Sequence, residues 1–228
     1  MALILCFEST ADICSVALTR DSHLLSLHES TRLNAHSELI TILAEQCLMD
    51  AGCTPQDLDA VAVSDGPGSY TSLRVGLSVA KGMCFGLDIP LITIDSLEII
   101  MHGIPDNMLK IPAVIIPLID ARRKEVYASA YDNERKLLQE ACSVILDVNW
   151  FEDLPEGVPV YLCGNGAIKA KTELNKDNYT LAHTQSSAAF MLRPAMQKFE
   201  AAHFRDIAYH TPNYIKPPNI TENRKKYF

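Results

Sequence analysis

Most of the patterns that announce chemistry are missing from this sequence. It contains no H-E-x-x-H and no C-x-x-C, which excludes a zinc-protease helix and a paired-thiol redox site. It also lacks G-x-x-x-x-G-K-[ST] and G-x-S-x-G, so neither a P-loop nor a hydrolase nucleophile elbow is present. No apolar run approaches the ~20 residues of a membrane span. The opening MALILCFES has no basic n-region, so no signal peptide is expected. Positive charge is scarce: 20 Lys and Arg stand against 28 Asp and Glu, a net charge of −8. That argues against a generic polyanion binder acting alone, though a local basic patch remains open. The seven cysteines are odd in number and scattered, mostly within apolar runs, which fits buried reduced thiols in a cytoplasmic protein.

What is present fits a globular chain. Nearly half of the 228 residues are hydrophobic (48%), enough for one large domain or two small lobes. The stretch VAVSDGPGSYTSLRVGLSVAKGMCF, residues 61–85, organises the rest. A buried strand over 60–63 leads into a turn at Asp65-Gly66-Pro67-Gly68. Ser69 then stands at a helix N-cap, and helical periodicity runs over 70–84. On that helix Arg74, Ser78 and Lys81 form one narrow polar stripe, and apolar or small residues fill the remainder. The apolar arc is roughly twice the ~100° of an ordinary surface helix, so a second partner besides one sheet face is expected. Gly76 and Gly82 each cost about 1 kcal/mol relative to Ala in a helix, which implies close approach of another group at both.

Taken in order, strands are expected at 2–7, 14–19 and 24–28, with a tight turn at 20–22. A helix capped by Asn34 or Ser37 runs to about Asp50 and ends at Gly52. Strand 60–64 and the organising helix follow, then strand 90–94 and a short helix over 95–102. After a proline-spaced joint at 103–112 the order begins again. Strands are expected at 113–119, 125–131 and 137–146, a short helix near 148–154, and a strand at 158–163. An irregular crossover over 169–178 and a helix over 186–202, kinked at Pro194, complete the pattern. The fold class is α/β, with tandem βββαβα lobes at 1–105 and 111–205 and an extended basic tail at 206–228.

Two such lobes are the layout shared by actin, sugar kinases and heat-shock chaperone ATPases. There, nucleotide phosphates bind glycine-rich turns at the start of each lobe. The matching turns here are Glu8-Ser9-Thr10-Ala11-Asp12 and Asp120-Ala121-Arg122-Arg123-Lys124-Glu125, and neither contains glycine. Close approach of backbone to phosphate oxygens generally needs glycine, so the nucleotide site reads as degenerate. Glu8 and Asp120 are expected to face each other across the cleft. Gly164 and Gly166, in Cys163-Gly164-Asn165-Gly166-Ala167, resemble the loop that meets adenosine in such kinases. No histidine spacing makes a metal site. His36 reads as a first-turn residue, and His102 as a helix-end residue complementing the macrodipole. Ser9, Thr10 and Ser69 read as turn and cap residues rather than nucleophiles.

The segments ILCFESTADICSVAL, AHSELI, SDGPGSYTSLRVGLSVAKGM, PLITIDSLE and IDARRKEVYASAY, in this order, resemble the bacterial TsaB (YeaZ) family. The last ~80 residues add little beyond CGNGA and PNYIKP. Glu8 departs from the family's usual Asp, and Ser72 from its usual Gly. The resemblance implies a non-catalytic subunit of the machinery that forms threonylcarbamoyladenosine beside the anticodon of certain tRNAs, with the paralogue TsaD as catalytic partner and a TsaE-type ATPase in the larger assembly. It implies no cofactor and no metal: Ser96 and Ile100 stand where TsaD carries the histidines of its metal motif. An older glycoprotease label finds no nucleophile–base pair here. The implied docking surface lies on the two helices of the first lobe, with Ile42, Met49, Gly76, Val79 and Met83 as contacts and Leu39 and Leu43 as alternates. The same surface is expected to form a homodimer when the chain is alone, with tRNA touched only within the complex. The competing expectation is a free-standing ATP-dependent phosphotransferase or carbamoyl-transfer enzyme of the same fold.

Overall fold

The computed structural model describes residues 1–10, 13–32, 36–110, 112–146, 157–183 and 185–216. Strands β1 (Leu3–Glu8), β2 (Cys14–Arg20), β3 (His23–Ser30), β4 (Ala60–Ser64) and β5 (Leu91–Ile94) form one sheet in the order β3-β2-β1-β4-β5. β1 and β2 pair antiparallel through a short connection. β1, β4 and β5 run parallel, which requires crossovers, supplied by helices α1 (His36–Asp50) and α2 (Tyr70–Leu87). β1, β4 and β5 are buried along their whole length, which is why they read as unbroken apolar runs.

The second sheet repeats the first. Strands β6 (Val114–Asp120), β7 (Glu125–Asp132), β8 (Leu137–Ile145), β9 (Val160–Cys163) and β10 (Tyr179–Leu181) lie in the order β10-β9-β6-β7-β8. Each takes the place of its counterpart five strands earlier, so the expected duplicated layout is present. Helix α4 (Ala167–Leu174) joins β9 to β10 as α2 joins β4 to β5.

Alternation along β1 divides the core. Leu3, Leu5 and Phe7 face α1 and α2 on the outer side, together with Ile40, Leu43, Leu77 and Ala80. Ile4 and Cys6 face the other way, toward Met191 and Ala195. Those two residues belong to the turn Ala188–Met191 and to helix α5 (Leu192–Glu200), which follow the second sheet in sequence yet cover the first. Reciprocally, helix α3 (Ser96–His102) follows the first sheet and covers the second, placing Leu97, Ile100 and Met101 against Ile115 and Ile119. All seven cysteines are free and five are buried. Among the described residues no helix is long and apolar enough to cross a membrane.

Several local expectations need correction. The stretch 169–178 is not an irregular crossover but contains most of α4 and the short turn that leads into β10. Only the small residues Ala167 and Ala170 of that helix are buried, so its period leaves almost no apolar trace. The stretch 186–202 is not one helix kinked at Pro194. It is a 3₁₀ turn capped by Ser187 followed by α5, with Pro194 third in the new helix, where its missing N–H is not needed. Ser37 lies inside α1 rather than at its cap, and Asn34 and the helix expected at 148–154 lie outside the described residues.

Candidate functional site

The first turn is packed against the chain itself. Glu8, at the end of β1, is fully buried. Its Oε1 accepts hydrogen bonds from the Thr10 N–H (2.7 Å) and hydroxyl (2.5 Å), while Oε2 has no partner among the described residues. Burial pushes this carboxyl up to about 7, against the lowering effect of the Thr10 bonds. Glu8 therefore does not face an open cleft, contrary to expectation. The Ser9 hydroxyl donates to the Ser72 carbonyl in α2 (3.1 Å), and the Thr10 carbonyl accepts from the Ser69 N–H (3.1 Å).

The glycines of the organising stretch answer to these contacts. A Cβ on Gly68 would lie 2.7 Å from the Thr10 Cβ, and one on Gly76 would lie 2.6 Å from the Ser9 Oγ. The close approach read from Gly76 is thus internal. Gly82, expected to behave alike, has nothing within 4 Å of its would-be Cβ and lies open. Ser69 caps α2 as expected, its side chain accepting from the Ser72 N–H.

The second turn is tied by charge. Asp120 accepts from Lys169 Nζ (2.8 Å) and from the Arg122 N–H (2.6 Å), and Lys169 also reaches the Glu125 carbonyl (2.8 Å). Arg122 and Arg123 both adopt left-handed backbone, at φ 71° and 51°, and project into solvent. Gly164 and Gly166 serve the strand beside them: a Cβ on Gly164 would lie 2.2 Å from the Leu118 carbonyl oxygen, and the Gly166 N–H donates to that same oxygen. At α3, Asp95 caps the helix through the Leu97 and Glu98 N–H groups, and the Ser96 hydroxyl accepts from the Gly66 N–H (3.1 Å). Burial and the guanidiniums of Arg135 and Arg193 push His102 down to about 4, so the imidazole is neutral and the macrodipole reading of it fails. The described residues contain no group of three or more His, Cys, Asp or Glu that could hold a metal ion.

On the outer helices the residues marked for docking separate into three sets. Ile42 (46% exposed) and Met49 (70%) of α1 are open to solvent. Leu39, Val79 and Met83 are half-buried, each leaning on the outer core. Leu43 and Gly76 are buried and belong to the molecule's own interior. Phe85, 82% exposed near the end of α2, was not singled out by periodicity, because an apolar residue on a largely apolar helix carries no mark of exposure.

The second partner demanded by α2 is in part the chain's own tail. Beyond α5 the backbone crosses α2 without regular structure. His210 pairs with Asp65 (2.7 Å), the Asn213 N–H donates to the Asp65 carbonyl (2.8 Å), and Lys81 reaches the His210 carbonyl (2.6 Å). The Tyr214 ring stacks on Tyr70 with centroids 4.5 Å apart, and its hydroxyl accepts from Arg74 Nε (3.0 Å). Tyr70 donates to the Lys216 carbonyl, and the Lys216 ammonium pairs with Glu125 of β7. Two members of the polar stripe thus exist to hold the tail.

Comparison with known proteins meets this geometry directly. The family model for TsaD, tRNA N6-adenosine threonylcarbamoyltransferase, matches residues 30–223. The tRNA threonylcarbamoyladenosine biosynthesis protein TsaB of Bacillus subtilis is 28% identical over 221 residues, covering 93% of each chain. The chain belongs to the TsaB (YeaZ) family. TsaB of Escherichia coli strain K12 is 30% identical over 132 residues, 58% of this chain and 55% of that one. A Pseudomonas aeruginosa structure described as similar to peptidase YeaZ superposes with a TM-score of 0.81 at 21% identity, covering 95% of this chain and all of that one. A tRNA N6-adenosine threonylcarbamoyltransferase of Lactiplantibacillus plantarum is 39% identical over 109 residues, 31% of its length. The TsaB-family chain therefore matches its TsaB relative in B. subtilis nearly end to end and this transferase only in part.

Proposed function

We propose that this chain is a non-catalytic subunit of the machinery that makes threonylcarbamoyladenosine in tRNA, serving as scaffold and activator of TsaD. The observation that carries the reading is the packing of the first turn. Where a nucleotide-binding relative would present glycines to phosphate, Thr10 and Gly68 are in contact and Glu8 is buried, with Thr10 bonded to its carboxyl and no ion pair to it among the described residues. The lobes 1–105 and 111–205 keep the kinase-like frame while the phosphate turns hold the frame together.

The docking surface comprises Ile42 and Met49 with the half-buried Leu39, Val79, Met83 and the exposed Phe85. Alone in the cytoplasm the chain pairs with its own copy about a two-fold axis, and TsaD displaces that copy. A TsaE-type ATPase joins the assembly. With a net charge of −8, the chain meets tRNA only there, through Arg122, Arg123 and Lys124 or the tail cations Arg224, Lys225 and Lys226.

Reconstitution tests the reading. Threonylcarbamoyl transfer by TsaD should rise when this chain is added, while the chain alone yields no product and calorimetry shows no tight ATP·Mg binding. Transfer or tight nucleotide binding by the lone chain would favour a free-standing enzyme and overturn the proposal.

A further inference from the structure

Away from the phosphate turns and the outer helices, a cavity of about 470 Å³ opens between α3, the β7–β8 hairpin and α5. None of the residues assigned above to docking or to the turns lines it. Its lining carries both signs of charge. Asp95, Glu98 and Glu140 lie around Tyr131, and their charges join burial in raising the phenol above its ordinary range. Arg135, Arg193 and Lys198 lie around His102 and, together with its burial, push its proton off, with Asp106 opposing them.

Internal pairing leaves part of each charge set uncommitted. Glu98 pairs with Lys198 (3.1 Å), and Arg135 pairs with Asp106. Glu140 and Arg193 form no ion pair among the described residues. The Nε of Arg135 is buried with no hydrogen-bond partner among them. These carboxylates do not form a metal site: among the described residues no group of three or more His, Cys, Asp or Glu could hold a metal ion. A space of several hundred cubic ångströms is of the size that receives a small organic ligand, and the mostly charged and polar lining here suits a charged one.

We propose that this cavity binds a small amine–carboxylate zwitterion, of amino-acid to dipeptide size, with its ammonium toward Asp95, Glu98 and Glu140 and its carboxylate toward Arg135 and Arg193. Carboxylates outnumber guanidiniums on the lining, so ligands carrying an extra ammonium, such as free lysine, bind more tightly than free glutamate. This inference is independent of any role toward TsaD.

The test is a nuclear magnetic resonance titration of the full chain with free amino acids and dipeptides, using their N-acetylated and C-amidated forms as controls. Saturable shifts are expected at residues 95–102, 131–141 and 193–197. Either blocked form should bind at least about tenfold more weakly, since each loses a charge-assisted contact. Glu140→Gln and Arg193→Gln, at exposed positions, should each weaken binding about tenfold at unchanged melting temperature. Blocked ligands binding as well as zwitterions, shifts confined to other residues, or no saturable shift with any member of the panel would each overturn the proposal.

Discussion

Glu8 holds a proton that the unfolded chain would surrender. Its carboxyl ionises at about 7 in the fold against 4.5 when solvated, because burial disfavours the charge. Between those values the native state binds more protons than the unfolded state, so stability falls as pH rises from 4.5 to 7. Above pH 7 the cost is about 3 kcal/mol. Asp95, pushed up to about 6 by burial, adds a smaller effect of the same sign. Urea unfolding of Glu8→Gln at pH 5 and pH 8 should show a markedly flatter pH dependence than the parent chain, and an unaltered slope would remove Glu8 as its source. The glycines give a second contrast. Gly68→Ala drives a methyl into the Thr10 backbone and should destabilise by about 1–3 kcal/mol, whereas Gly82→Ala should stabilise by about 1 kcal/mol. Denaturant midpoints distinguish them. From sequence Gly76 and Gly82 looked equivalent, since both are costly in a helix, and only the fold shows that Ser9 crowds one and solvent meets the other.

Among the elements, those with a buried apolar run or face were legible, the short β5, α3 and β9 included, and α4, without one, was not. β4 and α2 were readable because a buried strand, a Gly-Pro-Gly turn and a Ser cap succeed one another without ambiguity. α4 was hidden because a helix that buries only two alanines has no apolar stripe to read. The tail was hidden for another reason: its contacts are polar and aromatic pairs between residues ~140 positions apart, which no local pattern encodes. Tyr214→Ala should free this segment. With the ring stack and the Arg74 bond gone, amide hydrogen exchange over 210–216 should quicken at least tenfold while Arg205, bonded to Leu91 and Thr93, stays protected. An unchanged exchange rate would mean that the tail is held mainly through Asp65.

For the molecule as a whole, the surplus apolar arc that demanded a partner proves smaller than it looked, because Gly76 faces inward and the tail covers one flank of α2. What remains open on the outer helices is Gly82 and Phe85 of α2 and Ile42 and Met49 of α1, with Val79 and Met83 half-buried. Gly82→Arg separates docking from folding. Replacing an exposed helical glycine should raise the melting temperature slightly, while the bulky charge abolishes self-association and TsaD capture in sedimentation. A dimer that survives this change would place the contact elsewhere. The duplicated frame was readable because the order of elements repeats; which of the outer stripes stays wet was not, because burial depends on neighbours that arrive later in the chain.

Those late arrivals matter during synthesis. The inner face of the first sheet, with Ile4, Cys6, Ile92 and Ile94, is covered by Met191 and Ala195. At about 5–20 residues per second, a ribosome needs roughly 5–20 seconds to make the chain between Ile94 and Met191. For that time a finished five-stranded sheet waits with one bare apolar face. The nascent chain is then a natural client for a holding chaperone, and ribosome-bound chains arrested before residue 195 should remain protease-sensitive in β1 to β5. Dividing the coding sequence at the joint between the repeats would leave two halves that each lack a wall and become whole only on meeting.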